Sequence, residues 1–96
     1  MNELLVLHSA TQFLKKLDRP LKLKVLQVLE EIAQKPLLGQ KLTGDLNAVY
    51  SYHFRDNGVE YRLVYLFHEE DERTIVILVG TRENFYAELR KRMTAL

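Results

Sequence analysis

Cysteine and tryptophan are absent from this chain of 96 residues, which holds only two prolines and four glycines. Without cysteine there is no disulfide framework, no thiolate nucleophile and no thiolate-ligated zinc or iron–sulfur centre. Long apolar runs are missing too: nothing approaches the roughly 20 residues of a membrane-spanning helix. The start, Met1 to Ser9, carries an acid at Glu3 and an apolar run too short for a secretory signal. A cytoplasmic protein without a membrane partner is the expectation. Charge of one sign is not in excess either, with 14 Lys and Arg against 13 Asp and Glu and a net charge of +1. Phosphate binding then needs a local basic surface, since the total supplies none.

Metal and cofactor motifs are lacking as well. His8, His53 and His68 are scattered, the one acidic cluster lies in a turn, and there is no glycine-rich phosphate loop. No metal and no cofactor are expected, so any catalysis falls to His, carboxylates, Tyr, Arg, Lys or hydroxyls.

What is present is a folding composition: 47% hydrophobic and 28% charged residues, with no repeat or linker. Residues 1–96 therefore read as one domain. A chain this short buries only about 60–70% of its unfolded surface, so a partner that adds buried area has much to contribute.

Glu3 to Leu7 reads as a strand at a sheet edge. Ser9 and Gln12 match a capping box, which predicts a helix over Ala10 to Leu17. Asp18-Arg19-Pro20 starts a second helix, with Pro20 in the first turn, where its missing N–H costs nothing. Leu21, Val25, Val28, Leu29 and Ile32 make one face of that helix, which stops at Lys35 before Pro36. Leu37 to Gly44 reads as a loop.

Beyond it the period becomes two. Val49 to Arg55 alternates, with Tyr50, Tyr52 and Phe54 on one side and Ser51, His53 and Arg55 on the other. Asp56-Asn57-Gly58 is a hairpin turn. Glu60 to Phe67 is the partner strand, rich enough in aromatic and branched residues to sit centrally. His68 to Glu72 is an acidic turn, Thr74 to Val79 a third strand apolar on both faces, and Phe85 to Met93 a short helix. The fold class is α+β: an N-terminal strand and two-helix hairpin on one face of a mainly antiparallel sheet, with a C-terminal helix.

With helices on one face, polar residues on the other become informative. Arg62 interrupts an apolar strand, where a guanidinium is costly unless it meets an anion, a carboxylate such as Glu60 or Glu88, or solvent. His53 is either an ordinary surface residue or an acid–base group, since imidazole titrates near neutrality. Arg82 follows the last strand and Tyr86 lies four residues on, sharing a helical face with it. Arg90-Lys91-Arg92 either contacts phosphates or complements a helix C-terminus. These groups would converge on one face and suit an anion such as a phosphodiester.

Lys41-Leu42-Thr43-Gly44, Tyr61-Arg62-Leu63-Val64-Tyr65 and Val79-Gly80-Thr81-Arg82-Glu83 ending in Phe85-Tyr86 together resemble the RelE/ParE superfamily of toxins from type II toxin–antitoxin modules, over nearly the whole chain. The resemblance implies a RelE-like microbial ribonuclease fold and, for the RelE branch, metal-independent cleavage of messenger RNA in the ribosome. The 2′-hydroxyl attacks its adjacent phosphate to leave a cyclic phosphate. By this resemblance Arg62 stabilises the scissile phosphate, Arg82 acts at the phosphate or as acid, and Tyr86 stacks on or helps activate the nucleotide. Ser51 and His53 stand where RelE carries two lysines, so His53 takes the base role, with Lys41, Ser51, Arg55 and Arg90 as RNA contacts. A cognate antitoxin, the ribosome and mRNA are the implied partners. The ParE branch shares the fold but poisons DNA gyrase without nuclease chemistry; it and a catalytically weak relative are the alternatives.

Overall fold

The computed structural model describes residues 3–42, 49–81 and 85–95. Strand β1 (Glu3–Val6) leads into helices α1 (His8–Lys15) and α2 (Arg19–Gln34). Then come a two-residue strand β2 (Gln40–Lys41), the long strands β3 (Val49–Asp56), β4 (Val59–His68) and β5 (Arg73–Thr81), and helix α3 (Phe85–Ala95). None of the described helices is long and apolar enough to cross a membrane.

The sheet order is β1-β5-β4-β3-β2, antiparallel except that β1 pairs parallel with β5. The aromatic strand β4 is central, as its composition requires. Asn57 and Gly58 both take positive φ, 55° and 81°, in the β3–β4 turn, which matches the twist of the strands it joins. β2 falls inside the stretch expected to be loop; it pairs Gln40 with Ser51 and Lys41 with Tyr50.

Helices α1 and α2 cover one face of the sheet. Val25, Val28, Leu29 and Ile32 pack with Leu63, Tyr65, Val76 and Val79, and the stacked rings Tyr50–Tyr65 and Phe54–Tyr61 fill the space between. Asp18 caps α2 by accepting from the Leu21 N–H at 3.3 Å. Ser9 does not cap α1 in the way the capping box predicts. The helix begins two residues earlier, at His8 after Leu7, which makes no side-chain cap. The Ser9 hydroxyl instead donates to the Ile77 carbonyl at 2.6 Å. That carbonyl is offered where β5 bulges: Val64 opposes Leu78 and Tyr65 opposes Val76, leaving Ile77 as the extra residue.

The second face is not wholly free. Because β5 is apolar on both sides, it needs cover on both, and Phe85 and Leu89 of α3 pack over Val49, Val64, Ile77 and Leu78. Among the described residues, the polar end of this face is left uncovered by α3.

Tyr65 ties the segment before β2 to the sheet. Its hydroxyl donates to the Pro36 carbonyl at 2.7 Å and accepts from the Gly39 N–H at 2.8 Å. A Cβ on Gly39 would lie 2.7 Å from that oxygen and 3.1 Å from the Ser51 carbonyl, so the approach is possible only for glycine.

Candidate functional site

Register places the site residues. His53 of β3 opposes Arg62 of β4, which opposes Gly80 of β5; Arg55 opposes Glu60, and Ser51 opposes Val64. Directly opposed residues share a face. Ser51, His53, Arg55, Glu60 and Arg62 therefore stand together on the face away from α1 and α2, beside the apolar patch under α3.

Arg62 is the most constrained of them. Its side chain is 14% exposed, with Nη2 3.7 Å from Glu60 Oε2. The guanidinium lies 5.1 Å from the centre of the Tyr86 ring, a cation–π geometry. Its Nε is buried and has no hydrogen-bond partner among the described residues. An unpaired buried donor costs roughly 1–3 kcal/mol. Glu60 sits between two cations, opposite Arg55 and close to Arg62, and lowers the net positive field that an anion meets.

Tyr86 reaches Arg62 because α3 is fixed next door. Phe85 is buried and meets the Tyr86 ring edge-on, at 5.6 Å between centroids. Among the residues placed here from the sequence, Arg62, His53, Ser51, Arg55 and Tyr86 are thus brought together. His53 is exposed, with Nε2 3.0 Å from the Ser51 hydroxyl oxygen. Ser51, expected as an RNA contact, is 3% exposed and engages the imidazole instead.

Two further expected contacts lie elsewhere. Lys41 opposes Tyr50, which sets its Cβ on the helix-covered side; its neighbour Gln40 is the one on the His53 face. Arg90 is exposed one turn beyond Tyr86 on α3. The cluster Arg90 to Arg92 does not converge as a unit on Arg62, since Arg92 pairs with Glu88 at 2.9 Å. Those two line a separate open cavity of about 300 Å³ with Ser9, Lys16 and Thr81, beside the end of β5 that lies beyond its pairing with β1. Arg82, Thr43 and Gly44 lie outside the described residues.

Sequence reasoning left two features of the site unread. Gly80 as the neighbour of Arg62 depends on the β5 register, which the bulge at Ile77 resets. The Ser51–His53 bond had a readable signal, because residues two apart on a strand face the same way. The arrangement can bind an anion at Arg62, stack a flat ring or hold the cation with Tyr86, and move a proton at His53.

Residues 4–90 match the family described as ParE-like toxins of type II bacterial toxin–antitoxin systems. Among solved structures, the free E. coli toxin RelE, in a form with two arginines changed to alanine, aligns with a TM-score of 0.76 and 26% identity over 96% of this chain and 97% of that one. RelE in the intact E. coli RelBE toxin–antitoxin complex aligns at 0.71 and 25% identity, over 86% of this chain and 99% of that one. A chain of the Mycobacterium tuberculosis RelBE2 complex shares the fold at 0.70 and 23% identity, over 84% and 98%. No curated protein sequence matches the chain.

Proposed function

Since the chain belongs to the family of ParE-like toxins of type II bacterial toxin–antitoxin systems, we propose that it acts by cutting RNA, as a metal-independent endoribonuclease directed at messenger RNA on the ribosome. The observation that carries this reading is the His53–Arg62 pair facing one another across β3 and β4, with the Tyr86 ring over the guanidinium. Acid–base chemistry and an anion-binding cation are then side by side on an open surface.

The chemistry needs three acts. A base takes the proton of the 2′-hydroxyl as its oxygen bonds the adjacent phosphorus; His53 is the group suited to this. Fixed donors meet the charge that grows on the phosphoryl oxygens; Arg62 supplies them, helped by Arg55. The 5′-oxygen departs with a proton, a role the RelE resemblance assigns to Arg82. The products are a 2′,3′-cyclic phosphate and a free 5′-hydroxyl.

A cognate antitoxin completes the proposal. E. coli RelE is found in complex with its antitoxin, and a small chain gains stability from any partner that binds only its folded form.

A second reading keeps the fold and drops the chemistry. The family described for residues 4–90 is ParE-like, and Glu60 beside Arg62 weakens the pull on RNA. On this reading the target is DNA gyrase. Induction of the chain without antitoxin separates the two: new 5′ ends on translated messages by primer extension support cleavage, whereas intact messages with blocked gyrase supercoiling overturn it.

A further inference from the structure

His53 is exposed while its neighbour in the same face, Ser51, is buried at 3% exposure, and the Ser51 oxygen lies 3.0 Å from Nε2 of the ring. The imidazole is therefore oriented. Nε2 is turned to the serine, which leaves Nδ1 as the ring nitrogen that Ser51 does not engage. A neutral imidazole carries one N–H, and which nitrogen holds it follows from the bonds each makes.

The surroundings choose between the two forms. Arg62 and Glu60 face His53 from β4, Arg55 stands beyond it on β3, Gln40 of β2 opposes Ser51, and Tyr86 of α3 covers Arg62. Two of these five are guanidinium cations and donors, so a lone pair on Nδ1 is favoured over an N–H there. We infer that Ser51 is a positioning residue whose Oγ accepts Nε2–H, holding His53 in the form that carries its lone pair on Nδ1.

The chemical use of this arrangement rests on the ribonuclease reading; the tautomer itself does not. In that chemistry the 2′-hydroxyl proton bonds to Nδ1, while its O–H electron pair stays on the oxygen that attacks phosphorus. The Nε2–H···Oγ bond is the same before and after, so Ser51 has nothing to rearrange when the ring becomes imidazolium. The serine does for this ring what a carboxylate or carbonyl does for other catalytic histidines, without adding a negative charge beside the phosphate.

The test is the ring nitrogen spectrum of the ¹⁵N-labelled chain, with His53 assigned by its loss in His53→Gln. At a pH where the ring is neutral, the wild type should show a pyrrole-type Nε2 and a pyridine-type Nδ1. Ser51→Ala should give a mixture of the two forms and lower kcat about tenfold with KM unchanged, the equivalent of one hydrogen bond; Ser51→Thr should restore both. A wild-type ring protonated at Nδ1 overturns the inference without reference to any variant, as does an identical ring spectrum in Ser51→Ala. The expected spectra with no RNA cleavage by the wild type would leave Ser51 as assigned and sink the ribonuclease reading alone.

Discussion

His53 and Arg62 stand directly opposite one another across β3 and β4, and Gly80 flanks Arg62 from the other side. A guanidinium thus has an imidazole on one flank and, on the other, a glycine over which the Phe85 ring lies. For Arg62→Ala, cleavage should fall about 100- to 1,000-fold, the range for losing one fixed donor at a developing oxyanion. Arg62→Lys should recover little, because an ammonium lacks the planar fork. Turnover on a translated message, measured for both variants, checks this; full activity in either would remove Arg62 from the site.

The Tyr86 ring over Arg62 makes a separable contribution. Tyr86→Phe keeps the ring and should leave the melting temperature within about a degree of wild type. Tyr86→Ala loses the cation–π contact, worth about 0.5–1 kcal/mol at a partly exposed site, and should lower both stability and RNA affinity. Calorimetry and binding to an uncleavable 2′-deoxy analogue read the two effects.

On the ribonuclease reading, Glu60 should oppose RNA binding at this surface. Glu60→Gln removes a carboxylate 3.7 Å from Arg62 and opposite Arg55. RNA affinity at low salt should rise a few-fold, with stability changed by no more than about 0.5 kcal/mol, since a pair this long and partly exposed contributes little. An affinity that stays level with wild type across a salt series would show that the anion does not pass Glu60.

Tyr65 gives the molecule an alkaline limit. Burial raises its hydroxyl above the ordinary 10.0, Tyr50 adds to the rise, and the Gly39 N–H opposes it. The folded chain thus keeps this proton to higher pH than the unfolded chain does. The stabilisation is fully present below about 10 and is lost as the pH climbs through the folded value. Tyr65→Phe should cost about 1–3 kcal/mol at neutral pH, by stranding the Gly39 N–H and the Pro36 carbonyl. It should also flatten the loss of stability above pH 10 seen in denaturant titrations of the wild type.

Much of this architecture is written in local pattern. The apolar face of α2, the Asn57-Gly58 turn and the three strands of the antiparallel meander depend on neighbours a few residues apart, and they emerge where the sequence predicts them. What escaped depends on distant partners. Ser9 fits a capping box by spacing, but a carbonyl 68 residues away, exposed by a bulge, competes for its hydroxyl. Lys41 is basic and near the motif, yet the pairing of a two-residue strand sets it on the other face. Arg62 was legible because an arginine inside an apolar strand needs an explanation. The burial of Ser51 was not, since a serine fits inside or outside a sheet equally well.

The sheet order has a consequence for synthesis. β1 pairs with β5, and Glu3 bonds Arg73 across 70 residues of sequence, so β1 finds its place only once β5 has been made. The chain emerging from a ribosome cannot pair β1 with β5, nor set Tyr86 over Arg62, until β5 and α3 have been translated. Non-local pairing of this kind makes folding slow. Until then the Arg62–Tyr86 pair does not exist, and a partner present during synthesis meets a chain whose candidate site is still unassembled.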